Sequence, residues 1–539
     1  MNKLNMKTIY YIGITILALW LGSCAQDDTV NSFKDLNEVT FNGLKEKYSV
    51  MLYDYLNIPL SLTTSQNDDS HLSYVWYLST DTTRKVADTL SKSKDLNVLI
   101  DPSHAVPGEN YTLTLKVTDE TTGVYYRQEM KLEVMTQFTK GTVLLCEENG
   151  EAELNFLNSD HSLIENIYSR ANGGKRVGRN PLRIFSVNPL PAQPSLKFEA
   201  IMCEDENGGM LASPVSFEGL KPLRKGFAVD FEETVLKPEL YFKGMLIDYI
   251  IINRQVCRRA VNMLLPEWET PLVATQGVGN YEVAPFVMDA TGAPIFYDTK
   301  NKRLLWHYMW NWGGLHQLSS PEADISQFDC DHIGEHMEML CCGNQSEQGN
   351  YWMLMKDTST GKLYIYKYKF VDQKFTSVLR KEIGAGIAPH LAEAIAFAAN
   401  DDFPDVLMYA TGSRIYSLSL NLFTSSSTEV LEAPQVDLTS RNMEITGFKF
   451  VTISQETEMA GETRQSAQLR ICIRDNNQTG LKGGVIFYEV SSQGGIHADY
   501  LFDKTGFCDT VVDIDEKYRD RGPGETSSVF SGLTDHPIC

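Results

Sequence analysis

Tyr351-Trp352-Met353-Leu354-Met355-Lys356-Asp357 turns through Thr360-Gly361 into Leu363-Tyr364-Ile365-Tyr366. A short apolar run, a turn on Asp or Gly, and a second run presenting Leu or Ile beside Tyr is the pattern of a β-hairpin. The plan recurs. Gly141 to Glu148 turns at Asn149-Gly150 into Ala152 to Leu157, and Phe296-Tyr297-Asp298 turns through Lys300-Asn301-Lys302 into Arg303-Leu304-Leu305. Val406 to Ala410 turns through Gly412-Ser413 into Ile415 to Leu418, and Leu469 to Arg474 turns through Gly483-Gly484 into Val485 to Tyr488. Recurrent hairpin units of this size are how propeller blades read, and roughly 380 residues at about 55 per unit make about seven blades. The fold class is therefore all-β, with residues 138–539 expected as a β-propeller; the other arrangement such hairpins suit is two successive β-sandwiches.

Within that region no long helical period stands out. Leu391 to Ala399, Ala-rich and following Pro389, suits one or two helical turns inserted in a blade, or a small-residue strand packed centrally. Met245 to Val256 is apolar but short, and Asp248, Asn253 and Arg254 interrupt it, so it predicts a buried strand rather than a membrane span.

Upstream, residues 38–136 read as a separate unit. In Tyr111-Thr112-Leu113-Thr114-Leu115-Lys116-Val117-Thr118-Asp119, period-two alternation puts Tyr111, Leu113, Leu115 and Val117 on one face. Pro107-Gly108 marks a turn before this strand, and Thr121-Thr122-Gly123 closes a hairpin after it. Trp76 sits on an earlier strand, Leu72 to Leu78. About 100 residues of strands with a Trp on a middle strand suit an immunoglobulin-like sandwich, in which that Trp is a core residue. The Pro-Gly-x-x-Tyr-x-Leu-x-Leu-x-Val-x-Asp pattern over residues 107–119 resembles a PKD domain, a β-sandwich common in bacterial surface proteins. It departs from the best-known PKD pattern, since Trp76 is followed by Tyr77-Leu78.

The first residues are of another kind. Lys3 and Lys7 precede an apolar run from Ile9 to Trp20, too short to span a bilayer as a helix, which ends in Leu21-Gly22-Ser23-Cys24. This resembles a bacterial lipobox. The resemblance implies that residues 1–23 are a signal peptide, that the Cys24 thiol carries a diacylglycerol bearing palmitate-like chains, and that residues 24–37 are a lipidated tether; two or three chains hold a protein stably at a membrane where one does not. Gln26-Asp27-Asp28 resembles the surface-export signal of Gram-negative gut bacteria, which implies the outer membrane, facing outward. Taken together, these features resemble the PKD-like surface lipoproteins that accompany outer-membrane nutrient uptake systems. The partners so implied are a TonB-dependent porin and its lid lipoprotein.

Charge sets limits on the rest. With 48 Lys and Arg against 70 Asp and Glu, the net charge is −22. A surface this acidic does not suit nucleic acid, which requires a basic face to displace counterions, nor docking on an anionic membrane by charge alone. The cysteines number 10, and apart from Cys24 several lie inside apolar runs, as Cys146 and Cys472 do. They form neither a disulfide framework nor a C-x-x-C metal motif.

Two stretches are candidates for chemistry. His332-Ile333-Gly334-Glu335-His336 matches H-x-x-E-H, in which two His on one helical face hold zinc and the Glu polarises its water. Asp329, Cys330 and Asp331 are further donors nearby. Against a metal at His332, Glu335 and His336 stands Gly334, which would cost a helix about 1 kcal/mol, so the stretch reads as a polar loop. The Cys341-Cys342 pair reads as core. The second candidate is Trp306-His307-Tyr308-Met309-Trp310-Asn311-Trp312, which holds three of the seven Trp. Alternation puts Trp306, Tyr308, Trp310 and Trp312 on one strand face, either as a platform for a glycan or peptide or as aromatics buried against the next blade. Acidic clusters such as Glu147-Glu148 and Glu204-Asp205-Glu206 read as solvated turns, and Asn67-Asp68-Asp69 and Asp475-Asn476-Asn477 as Asx turns. No G-x-S-x-G elbow, P-loop or dinucleotide fingerprint is present, and no cofactor is expected.

The function these features imply is non-catalytic: a surface lipoprotein that captures or presents an extracellular glycan or peptide to an uptake porin. The alternatives are a hydrolase with its site in the propeller mouth, and a structural adaptor of the uptake complex.

Overall fold

The computed structural model describes residues 36–517, except 81–87, 188–197, 229, 244–246, 261–266, 270, 273–278, 289–292, 309–312, 346, 348, 400–402, 457–462 and 492. The chain divides into two compact units. One comprises the chain up to Val50 with Asp54–Ile100 and Gly108–Glu133; the other comprises Met51–Tyr53, Asp101–Pro107 and the chain from Val134.

The first unit is built on a five-stranded sheet in the order Lys47–Met51, Tyr125–Met135, Tyr111–Asp119, Leu72–Thr80, Asp88–Ser91. Two short strand pairs accompany it, Val39–Asn42 with Ser61–Thr64 and Tyr55–Ile58 with Leu96–Leu99. Along Tyr111–Asp119 the side chains of Tyr111, Leu113, Leu115 and Val117 are all buried. Trp76, paired with Leu115, is fully enclosed, and its indole N–H donates to the carbonyls of Ser93 and Lys94, both at 3.2 Å. The hairpin after this strand is held by Asp119, whose carboxylate accepts the Thr121 amide at 2.8 Å, while Gly123 takes the left-handed conformation, at φ +73°, that closes the turn.

The described part of the second unit contains seven antiparallel sheets that follow one another along the chain. The second to seventh begin with Pro181–Val187, Pro238–Lys243, Ile295–Asp298, Met337–Asn344, Ala396–Ala398 and Met443–Glu456, and each meanders outward from that strand through its successors. The first sheet differs. Its strands Gly141–Glu148, Glu151–Asn158 and Leu163–Ile164 are consecutive, but its fourth member is Thr510–Lys517, which pairs with Gly141–Glu148 from Gly141↔Lys517 onward.

Side-chain alternation explains why these strands are apolar at almost every position. In Asn350–Asp357, Trp352 and Leu354 pack with Leu407, Tyr409 and Leu418 of the sixth sheet, while Met353 and Met355 pack with Tyr297 and Leu304 of the fourth. Alternate residues thus feed two different cores. The same division runs through Gly141–Glu148, where Val143 and Leu145 join Ile184 and Ile201 of the second sheet, and Leu144 and Cys146 join Cys472, Val485 and Phe507 of the seventh. Since each sheet is buried against the sheet before and the sheet after, and the seventh against the first, the arrangement is a closed ring, the β-propeller. Two sandwiches would leave one face of each strand in water, so that alternative is excluded.

Local expectations were refined in two places. The Met245–Val256 run is a strand and a turn rather than one strand: Ile247–Ile252 ends where Asn253 and Arg254 both take positive φ (48° and 64°), and Gln255–Ala260 runs back beside it. Asn tolerates that left-handed conformation, and two such residues in succession make the tight turn that suits strand twist. Leu391 to Ala399 holds both alternatives in succession, a 3₁₀ turn at Leu391–Glu393 and then the strand Ala396–Ala398. Among the described residues no helix is long and apolar enough to cross a membrane.

Candidate functional site

At the centre of the ring, between the strands that open successive sheets, lies a cavity of about 300 Å³. Its wall is part apolar and part polar: Phe286, Leu340, Phe397, Phe448 and Ile395, the last 58% exposed, share it with backbone and charged groups. Three charged residues, Arg183, Lys449 and Asp513, also line it.

Two of the three charges are committed to closing the ring. Lys449 Nζ lies 2.7 Å from Asp513 Oδ1 and donates to the Ile514 carbonyl at 2.9 Å, with both side chains under 10% exposed. The other Asp513 oxygen accepts the Ile184 amide at 2.9 Å, and Asp515 accepts the Ser186 amide at 2.6 Å. The closing strand therefore uses two aspartates, spaced for one face, to satisfy backbone donors along the inner edge of Pro181–Val187. Burial pushes the Asp515 carboxyl up to about 7, against the opposing pull of Lys449 and the Ser186 amide. Burial also raises the carboxyl of Glu199, which accepts from Ser186 Oγ at 2.6 Å and has Lys517 Nζ at 4.0 Å. Arg183 is half-buried and, among the described residues, its guanidinium has neither an ion pair nor a hydrogen bond.

The residues singled out from sequence lie elsewhere. Trp306 ends the strand Arg303–Trp306 half-buried, with its ring 5.5 Å from Phe370, 5.5 Å from His316 and 6.0 Å from Tyr308. Alternation holds as far as Trp306 and Tyr308 lying side by side, but the strand stops at Trp306 rather than running to 312, and Trp310 and Trp312 lie outside the described residues. Between the two rings His307 points the other way and is fully buried. Its Nδ1 lies 2.7 Å from the Tyr249 hydroxyl and its Nε2 is 3.1 Å from the Gly313 carbonyl. Arg258 Nη1, which can only donate, lies 3.1 Å from the same Nε2 and donates to the Gly313 carbonyl at 3.1 Å. Burial, and then the nearby Arg258 charge, hold the imidazole down at about 4, so it is neutral in use. Neither Trp306 nor Tyr308 lines the central cavity.

His332, Glu335 and His336 are exposed, in a loop where Gly334 has φ +129°, so no helix sets the two His on one face. Ile333 turns inward instead, and its amide donates to the Lys302 carbonyl at 2.7 Å. Burial, then Asp329, pushes the neighbouring Cys330 thiol up to about 12, which keeps it a thiol. Among the described residues no three such donors come together in a metal-binding group. Cys341 and Cys342 are both buried. Cys24 lies outside the described residues.

The acidic turns are more structural than their sequence suggested. Asp205 is 5% exposed and accepts the Asn207 amide at 2.8 Å and the Arg179 amide at 3.0 Å; Glu148 pairs with Arg176 at 2.6 Å. Sequence reading also missed a constellation around Glu432. This carboxylate, 4% exposed, accepts from the Tyr409 hydroxyl and faces His390 Nδ1, while the His390 ring, 42% exposed, stacks on Tyr416 with centroids 4.5 Å apart. Burial and the Glu432 charge raise the Tyr409 hydroxyl well above its usual range. His390 and Glu432 are 42 residues apart in the chain, and no local pattern links them.

Fold and cavity thus define an all-β protein of two units, a PKD-like sandwich and a propeller with a small central site. Residues 24–181 match the model of the PKD-like family, so the N-terminal part of the chain is PKD-like, and the match runs on through the first hairpins of the ring. No curated protein matches the chain. Among solved structures, it is similar to a quinonprotein alcohol dehydrogenase-like protein from Bacteroides thetaiotaomicron, at 12% identity over 90% of this chain and 100% of that one, with a TM-score of 0.47. A protein from Lactobacillus plantarum is 10% identical over 70% of this chain and 99% of its own (TM-score 0.39). The extracellular domain of a putative one-component system from B. thetaiotaomicron is 9% identical over 74% and 68% (TM-score 0.26). At these identities and scores, none of the three carries a function to this chain.

Proposed function

We propose that this protein is a surface lipoprotein, acylated at Cys24, whose propeller captures an extracellular glycan or peptide in its central cavity and presents it to an outer-membrane porin and lid lipoprotein without chemical turnover. The observation that carries the reading is the cavity. It has the size at which small-ligand sites begin, and aromatic and aliphatic side chains share its wall with polar groups that can fix a ligand's orientation. Its one acid, Asp513, is fully engaged by Lys449 and the Ile184 amide, which suits a holding site better than acid–base work.

A single observation favours the hydrolase reading. Glu432 faces Nδ1 of His390, whose side chain is 42% exposed, the arrangement of a carboxylate-held imidazole base.

The anchor-free chain from Ala25 onward, tested by calorimetry against glycans and peptide mixtures with product release followed in the same samples, separates the two. Binding that Phe448→Ala weakens about tenfold or more, with no product, supports capture. Product formation lost in His390→Ala replaces it with hydrolysis. For the anchor, Cys24→Ala is expected to move the full-length protein from the membrane to the soluble fraction; retention in the membrane contradicts lipidation.

A further inference from the structure

The cysteines of the ring are unevenly placed. Cys203 and Cys257 are each the one cysteine of their core. The core between the first and seventh sheets holds three, Cys146, Cys472 and Cys508, all buried. Cys146 lies on the first strand, Gly141–Glu148, and Cys508 is the last residue of Ile496–Cys508, the outer strand of the seventh sheet. After Asp509 the chain enters Thr510–Lys517 and pairs Thr510 with Glu147, next to Cys146.

Two of these thiols meet across the seam. Cys146 and Cys508 lie within hydrogen-bonding reach of each other. Asn155 Nδ2 donates to Cys146 Sγ at 3.4 Å, and Cys508 Sγ fills the space over Gly483, where a Cβ would fall 2.6 Å from it. Cys472 shares the core, but among the described residues it hydrogen-bonds with neither. Two sulfurs already in contact are one short movement from bonding distance. Both are free thiols in this structure, and an exported chain folds where disulfides persist.

We propose that Cys146 and Cys508 become joined by a disulfide that bolts the first sheet to the seventh. This goes beyond capture and takes only export from that reading. The co-reactant is an oxidant in disulfide form. While the ring is open, the thiolate of one cysteine attacks that disulfide, forming a mixed disulfide and releasing one oxidant thiol. When the sheets meet, the second cysteine displaces the other oxidant sulfur. One S–S bond has then formed and one has broken, and the two electrons and two thiol protons have passed to the oxidant, which leaves as two thiols. In the closed ring, burial keeps Cys146 protonated and out of an oxidant's reach, so the bond is made during closure rather than after it.

The anchor-free chain from Ala25 onward, unfolded and reduced, is refolded with and without glutathione disulfide, blocked with N-ethylmaleimide in denaturant and digested with trypsin. Trypsin parts the three thiols onto Gly141 to Arg170, Ile471 to Arg474 and Thr505 to Lys517. Mass spectrometry without reduction is expected to find the first and third of these peptides linked after oxidative refolding. The linked protein should melt about 3 °C or more above the reduced one, because the crosslink closes almost the whole ring into one loop. Cys472→Ala should keep both the link and the shift, and Cys508→Ala should lose both; if Cys508→Ala does not fold, the wild-type peptide map decides. Maleimide on both Cys146 and Cys508 after oxidation, a link made through Cys472, or a linked protein no more stable than the reduced one would each overturn the proposal. Refolding in vitro requires neither export nor a ligand, so those readings fail separately, in the fractionation of Cys24→Ala and in the ligand screen.

Discussion

At the scale of single residues, the half-buried Asp515 and the buried His307 give the ring opposite responses to pH. The Asp515 carboxyl sits at about 7 in the folded chain, above its unfolded value of 3.8. The folded state therefore holds that proton more tightly, and the stability so contributed is full below about pH 4 and lost as pH rises through 7. His307 runs the other way. Its value of about 4 lies below the unfolded 6.5, so its contribution is full above about pH 6.5 and declines as pH falls toward 4. Asp515→Asn keeps an oxygen for the Ser186 amide and removes the titration. Relative to wild type, its stability advantage should grow by about 2–3 kcal/mol between pH 5 and pH 8, measured by urea unfolding at each pH. An advantage that does not change with pH would show that Asp515 is already charged, or already solvated, at pH 5.

At the scale of elements, the hairpins were readable because their turns are made by residues with their own reasons to turn, such as Asp357 with Gly361 and Asn149 with Gly150. The double-faced burial of their strands was not read outright, though uninterrupted runs such as Trp352-Met353-Leu354-Met355 carry it. Where reading failed, a local signal was overridden or misjudged. Asn253-Arg254 looked like an interruption in a strand and is its turn. The aromatic run from Trp306 looked like a strand, but Tyr308 has already left the sheet. The Glu432 and cavity constellations were out of reach, because their members meet only when separate sheets pack.

One consequence of double-faced burial is directly measurable. Leu354→Ala and Met353→Ala should each cost about 2–5 kcal/mol, though the residues are neighbours and would lie on opposite faces of any sheet. Because they serve different cores, the double variant should cost close to the sum. If either single change costs under about 1 kcal/mol, that face is not packed as described.

At the scale of the whole molecule, the ring depends on its closing strand. Arg470 of the seventh sheet donates to Thr142 Oγ1 at 2.7 Å and pairs with Glu516, while Thr142 donates to Glu516 at 3.1 Å. The three residues tie the seventh sheet, the closing strand and the first strand together, with all three buried. Glu516→Ala leaves the Arg470 charge buried and unmatched, and should cost about 3–5 kcal/mol. Pairing it with Arg470→Met should recover part of that loss, since an apolar replacement of both partners removes the stranded charge. A double variant no more stable than the single would mean that the geometry of the clasp, rather than its charge balance, holds the ring.

The clasp also orders events in time. Thr142 and Glu516 meet across 374 residues of chain, so the contact that completes the first sheet is among the last that a growing or translocating chain can make. Until then the seven sheets are an open row with two raw ends, one at Gly141–Glu148 and one at the seventh sheet. Contacts this distant in sequence form slowly and leave apolar faces waiting. A chain delivered amino end first would carry its PKD-like unit out complete while the ring behind it was still unfinished, and the interval before the last strand emerges is when the protein is most in need of a chaperone and most open to a protease.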